Sequence, residues 1–228
     1  MRASPPGPAS QVLAEENGFR YAIATEESGA AIGRILSASF AREPMATALG
    51  VSADDLAPLV ACFLPECTTN GLSVLAAPVD EPGTVAGVFI CRDFKAPPPP
   101  GVIEDFPWFH PAGAAITAVD EAYEAQRPGL GLGDAVDLWM VAVTPGSRFA
   151  RRGIARTLFR VCVDLARARG FARCVTECTG HYSQTAARKT GFEERARLAY
   201  RDFRFHGRSV FAAIPPPHTH LIFFEKIL

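Results

Sequence analysis

The sequence predicts an α/β (α+β) fold, a mixed central sheet flanked by helices in a single domain. Two observations carry this. Residues 137–170 read as a strand, a small-residue loop and an amphipathic helix, the unit that feeds parallel strands. Before it, residues 72–76 and 84–91 are apolar runs joined by Asp80-Glu81-Pro82-Gly83, the turn of an antiparallel hairpin. An antiparallel first half and a parallel centre make a mixed sheet.

The elements follow in order. Met1 to Ser10 is Pro-rich and polar, and residues 1–18 are expected to form a poorly ordered tail without the apolar core of a signal segment. Residues 19–25 (FRYAIAT) alternate as a strand. Residues 28–40 carry Ile32, Ile35 and Leu36 on one helical face and stop before Pro44, because the residue preceding proline avoids helical dihedrals. Residues 52–66 form a second helix, with Ser52 as its cap and Asp54 and Asp55 in its first turn. After the hairpin, residues 95–133 are an insertion. They hold the stiff run Pro97 to Pro100, a helix over 110–126 and a flexible Gly-rich return. Residues 138–143 are a buried strand. Ile154, Leu158, Val161 and Leu165 then recur at 4-3-4 spacing, opposite Arg156, Arg160, Asp164 and Arg167, up to Gly170. Residues 173–178 read as a strand, 183–190 as a short helix, 193–205 as a long strand and 218–228 as the last strand.

Composition excludes several function classes. With 228 residues, 48% hydrophobic and 21% charged, the chain can bury one full core. Its net charge of −1 provides no whole-molecule attraction to nucleic acid or to an acidic membrane, and neither is expected as a partner. No apolar run reaches the ~18 residues needed to span a bilayer. The six cysteines form no CxxC pair and no zinc spacing, so no metal is implied. Buried free thiols suit a reducing, cytoplasmic compartment.

The strand, loop and helix of 137–170 can hold phosphate. Free amides and the positive end of the helix dipole face the loop, and Gly153 and Ala155 let a ligand approach the backbone. Arg148, Arg151, Arg152 and Arg156 add positive charge. A plain packing unit with a glycine at the helix start reads the same way. There is no P-loop, because Gly-Lys-Ser/Thr is absent, and there is no GxGxxG fingerprint.

RRGIA at 151–155, behind VAVTP at 141–145, resembles the acyl-CoA-binding motif of the GNAT N-acetyltransferase superfamily, Q/R-x-x-G-x-G/A. Gly153 and Ala155 fill its small positions, Ala150 stands where Gln or Arg is usual, and the loop is slightly long. The resemblance implies the GNAT fold over residues 19–228, with the insertion before the fourth strand. It implies acetyl-CoA as co-substrate, held by Arg148, Arg151, Arg152, Gly153, Ile154 and Ala155. The Val141 N–H would receive the thioester oxygen, and Val143 would pair the pantetheine chain.

SFAREPM at 39–45 is similar to the F-x-x-E-P-L segment of insect-type arylalkylamine N-acetyltransferases, where the glutamate is the general base; Glu43 holds that position. TGHYSQTAARKTGFE at 179–193, YRDF at 200–203, RSVF at 208–211 and PHTH at 217–220 resemble further stretches of the same branch. They imply proton-handling hydroxyls at Thr179 and Ser183, although Ser183 at a helix start also reads as a simple cap. Many GNAT enzymes use a tyrosine acid where this chain has Ala187, which leaves Ser183, Tyr182 or water to protonate the thiolate. His218, His220, Phe40 and Tyr182 are candidates to line the acceptor pocket, with Phe109 and Phe203 as further aromatics. The expected acceptor is a small primary amine such as an arylalkylamine, and the protein a monomer or homodimer. The rivals are a polyamine or amino-sugar acetyltransferase and a non-catalytic acyl-CoA-binding module.

Overall fold

The computed structural model describes residues 11–102, 104–146 and 148–228. Among them the sheet is eight-stranded: β1 (Val12–Glu16), β2 (Phe19–Ile23), β3 (Val74–Pro78), β4 (Gly87–Asp93), β5 (Ala135–Val143), β6 (Arg173–Cys178), β7 (Glu193–Ala199) and β8 (His220–Ile227). Their order across the sheet is β1-β2-β3-β4-β5-β6-β8-β7. Only the β5–β6 pairing is parallel, as the strand-loop-helix unit between them requires. The helices are α1 (Gly29–Phe40), α2 (Pro44–Ala48), α3 (Ala53–Thr69), α4 (His110–Glu124), α5 (Ile154–Ala168) and α6 (His181–Lys189).

The core lies on both faces of the sheet. Ile154, Leu158, Val161 and Leu165 of α5 are buried against Val74, Phe89, Val136 and Phe224, the face their spacing predicts. Each such side chain contributes about 1.5–3 kcal/mol. On the other face, α1 and α3 pack on Val88, Ile90, Met140 and Ala142. Helix α4, the centre of the insertion, packs on Ala135, Val175, Leu221 and Phe223. Strand β8 alternates between the two layers: Ile222 and Phe224 face α5, and Leu221 and Phe223 face α4. The approach of α5 to the sheet is close at Gly87, where a Cβ would stand 2.9 Å from Ile154 Cγ2 and 3.0 Å from the Ala142 oxygen. Gly87→Val is therefore expected to overpack this contact and lower Tm by roughly 3–10 °C, which a thermal melt checks.

Several elements differ from the sequence reading. Residues 11–18 are not tail: β1 pairs antiparallel with β2 through Asn17 and Gly18, both at positive φ. Asn-Gly is the favoured two-residue hairpin turn, and the Pro-rich start had masked it. The rest of the expected tail lies outside the described residues. Helix α2 is an added turn that begins at Pro44, with Glu43 as its extended N-cap. Helix α3 continues through Pro58 and Pro65 to Thr69. Strand β7 ends at Ala199, where the chain turns and folds Tyr200, Phe203 and Phe211 into the core.

Strand β5 carries the feature that makes a site. Its register with β4 shifts between Ile90 and Cys91, so Trp139 is the extra residue of a bulge. Its pairing with β6 covers only Ala135 to Asp137. Beyond that point the two parallel strands part, and the chain from Leu138 to Val143 borders an opening. The Thr144 N–H donates to the Ala86 oxygen on the β4 side. Amides alternate along a strand, so those of Val141 and Val143 face the opening.

Candidate active site

Two concavities flank this opening. One is a cavity of about 140 Å³ between α3, α4 and the parted strands. Its walls are mostly apolar and aromatic, with Phe40, Phe63, Trp108, Phe109 and Trp139 prominent. The polar groups on it are few: Glu43, Thr176, Glu177, Thr179 and Ser183. The other is a broad groove of about 1350 Å³ over the start of α5, lined by Val143, Ala150, Arg151, Arg152, Gly153, Ala155, Arg156 and Lys189. Val141 lines the cavity and Val143 the groove, so the edge of β5 connects them.

The groove is built to take an anion. Gly153, the N-cap of α5, has φ 78° and ψ 2°, a left-handed conformation that suits glycine. The first intrahelical bond of α5 runs from the Thr157 N–H to the Gly153 oxygen at 3.0 Å, so the amides of Ile154, Ala155 and Arg156 precede it and point out of the helix end. The Ile154 side chain is core, and only its backbone can serve a ligand. Arg152 stacks on Phe19 at 5.1 Å. Arg148 does not line the groove: it pairs with Glu81 and lies over the Phe149 ring. Lys189 of α6 does line it, a residue the motif reading had missed.

Inside the cavity Glu43 and Thr179 meet. The Thr179 Oγ1 donates to Glu43 Oε2 at 2.6 Å, and the Tyr200 hydroxyl holds the Thr179 carbonyl at 2.5 Å. Burial raises the Glu43 carboxyl above its ordinary value, while the Thr179 hydrogen bond and the charge of His218 pull it down. A carboxyl shifted upward by burial accepts a proton more readily than an exposed one. Burial pushes the Cys178 thiol up to about 12 and raises the Tyr200 phenol, so neither titrates near neutral pH.

Ser183 Oγ donates to the Gly180 oxygen at 2.9 Å and lines the cavity; it is not the cap of α6, whose N-cap is Gly180 and whose free N–H groups take no side-chain cap. Ala187, one turn on along the same helix face, is fully buried, so the position of the usual tyrosine acid belongs to the core.

Other expected residues lie elsewhere. His218 is not on the cavity wall: its Nδ1 accepts the His181 N–H at 3.1 Å, which places its proton on Nε2 while it is neutral. It sits beside Gly180, next to Glu43. The His220 ring pairs with Thr219 Oγ1 at 2.8 Å as β8 begins, and it does not line the cavity either. Both are tied to the chain around them by a ring nitrogen. Tyr182 is 75% exposed and borders the groove instead of the aromatic cavity. Phe203 stacks on Phe211 in the core, whereas Phe40 and Phe109 are cavity walls as expected.

A third group escaped the sequence reading. Asp120 of α4, Asp137 of β5 and Glu177 of β6 converge behind the cavity floor, with Glu177 in hydrogen-bonding range of both aspartates. Burial drives all three upward, and their mutual charge adds to it. Asp120 is pushed up to about 9, with Glu124 raising it further and Lys95 opposing. The sign for stability follows. The folded state holds protons that the unfolded chain releases near pH 4, so this contribution is complete below that pH. It is lost as pH rises toward 9. Tm is expected to be at least about 3 °C lower at pH 9 than at pH 6, and Asp120→Asn should flatten that slope in thermal melts across pH.

The sequence matches no protein-family model and no curated protein. Solved structures match over most of the chain. The arylalkylamine N-acetyltransferase 2 of Aedes aegypti is similar with a TM-score of 0.76 at 20% identity, covering 92% of this chain and 98% of its own. The fold is that of the GNAT N-acetyltransferases. The C-terminal condensation domain of Ebony, solved with beta-alanyl-dopamine, shares this GNAT fold with a TM-score of 0.80 at 15% identity, covering 92% and 99%. The Salmonella typhimurium protein yncA, solved with its cofactor acetyl-CoA, has a TM-score of 0.51 at 16% identity over 92% and 94%. Among the described residues, no helix is long and apolar enough to cross a membrane.

Proposed function

We propose that this protein transfers the acetyl group of acetyl-CoA to the primary amine of a small arylalkylamine, directly and within a ternary complex. The observation that carries the proposal is the Glu43–Thr179 pair on the wall of an aromatic cavity that adjoins an anion groove along β5. The pyrophosphate of acetyl-CoA lies on the amides of Ile154 to Arg156, with Arg151, Arg152 and Lys189 around it. Its pantetheine chain runs along Val143, and the thioester oxygen takes the Val141 N–H, where negative charge develops. The amine arrives as an ammonium with a pKa of about 10. Glu43 removes one proton through water, the free amine attacks the carbonyl carbon, and the carbon–sulfur bond breaks. Ser183, on the same cavity wall, gives its hydroxyl proton to the departing sulfur and regains one from the attacking nitrogen, so the second amine proton ends on the thiol and the first on Glu43.

The aromatic lining supports an arylalkylamine over a polyamine or amino sugar, which would need polar walls along their length. The acceptor class is tested by thiol release from acetyl-CoA with a panel of amines. Arylalkylamines should exceed diamines and amino sugars by at least about tenfold in kcat/KM, and the reverse order would replace the acceptor class.

A further inference from the structure

Acetyl transfer as described uses Glu43, Thr179 and Ser183 and leaves one carboxyl group of the cavity without a task. Glu177 lines the cavity, and its Oε1 is buried without a hydrogen-bond donor among the described residues. The same holds for Asp120 Oδ1 and Asp137 Oδ1 behind it. Carboxylates only accept hydrogen bonds, so contacts between these three require shared protons. A proton held on Glu177 makes it both donor and acceptor. Three carboxyls this close cannot all ionise in a buried setting.

Position then restricts the ligand. Glu177 precedes Thr179 by two residues, and both line the cavity. Glu177 is in β6 and Thr179 is one residue past its end, so their Cα atoms are at most about 7 Å apart. A polar group therefore waits about one phenylethyl body away from the place where Thr179 holds Glu43. The same cavity is walled by Phe40, Phe63, Trp108, Phe109 and Trp139, which suit a ring. A second cation at that end would have to ionise the cluster against its burial. A neutral hydroxyl exchanges donor for acceptor with a protonated carboxyl at no such cost. The three carboxyls are not placed to hold a metal among the described residues.

We propose that Glu177 is a specificity residue that hydrogen-bonds a hydroxyl on the ring of the acceptor arylalkylamine, with Asp120 and Asp137 as positioning residues behind it. This rests on the arylalkylamine reading given above. It predicts that the protein distinguishes acceptors by their ring substituent as well as by their amine.

The test measures kcat/KM for phenethylamine, 4-hydroxyphenethylamine and 1,5-diaminopentane with acetyl-CoA. The native chain should favour the hydroxylated amine over phenethylamine by about tenfold or more, the discrimination expected when a buried polar group is left unpaired. Glu177→Leu should bring that ratio to about one, and Glu177→Gln, which still donates and accepts, should keep most of it. Asp120→Asn should lower the ratio by a smaller factor. A ratio near one in the native chain overturns the inference whether or not any variant folds, and so does a ratio unchanged in Glu177→Leu or a preference for the diamine. Equal turnover of the two phenethylamines removes this inference alone. Absence of turnover with either removes the acceptor reading beneath it as well.

Discussion

Glu43→Gln is expected to lower kcat/KM for acetyl transfer by about 10²–10⁴-fold and to leave acetyl-CoA binding unchanged. Glutamine keeps the size of the side chain and can still accept from Thr179 Oγ1, so the N-cap of α2 and the cavity wall stay in place. What it loses is the ability to take a proton from the ammonium. In the native chain the rate should rise with pH through a carboxyl raised by burial, since the ionised form is the active one. In Glu43→Gln that limb should vanish and leave only the titration of the amine itself. Steady-state kinetics across pH, with acetyl-CoA affinity measured by calorimetry, check both halves. An unchanged rate in the variant would remove Glu43 from the chemistry.

The largest effect on stability is expected at Glu225. Its side chain is fully buried in β8, and it accepts from Tyr123 at 2.7 Å, Arg195 at 2.8 Å, and Arg127 and Arg173 at 3.1 Å each. Burial alone would raise its carboxyl, but the hydrogen bonds from Tyr123, Arg127 and Arg195 outweigh it and hold the group below its ordinary value. The register shift of β7 at Glu194–Ala196 leaves Arg195 as the extra residue that reaches this carboxylate. Glu225→Ala would leave three guanidinium groups facing one another around a vacated acceptor. Breaking such a group from one side costs about 3–5 kcal/mol, roughly 6–20 °C in Tm. The network ties α4 and the chain after it to β6, β7 and β8, so the cavity wall formed by α4 should loosen before the sheet melts. Thermal and urea melts of the variant test the magnitude. A loss under about 1 kcal/mol would mean the arginines find other partners.

What could be read from the sequence was local. The 4-3-4 spacing of Ile154, Leu158, Val161 and Leu165 states which face of α5 is buried, and Gly153 marks where it begins. Glu43, Thr179 and Ser183 were legible through short motifs, and they do come together at one cavity. What was not legible depends on distant chain segments. Asp120, Asp137 and Glu177 lie on three elements far apart in sequence, and only the packing of α4 on the sheet brings them together. The parting of β5 and β6 follows from a bulge at Trp139, and an apolar run gives no sign of a register shift. Tyr182, His218 and His220 sit within the motif stretches, but adjacency in sequence does not fix the side a ring takes. The insertion has a definite place, since Trp108, Phe109, Ala112 and Ile116 from it wall the aromatic cavity.

The measurement that bears most directly on the central claim is the transfer itself. The protein is incubated with acetyl-CoA and phenethylamine, and free CoA thiol and N-acetylated amine are both quantified, the latter by mass spectrometry. Equal amounts of thiol and amide, both dependent on the amine and both lost in Glu43→Gln, are the predicted result. Acetyl-CoA bound in the groove with neither product formed would contradict the account and leave a binding module on an acetyltransferase fold.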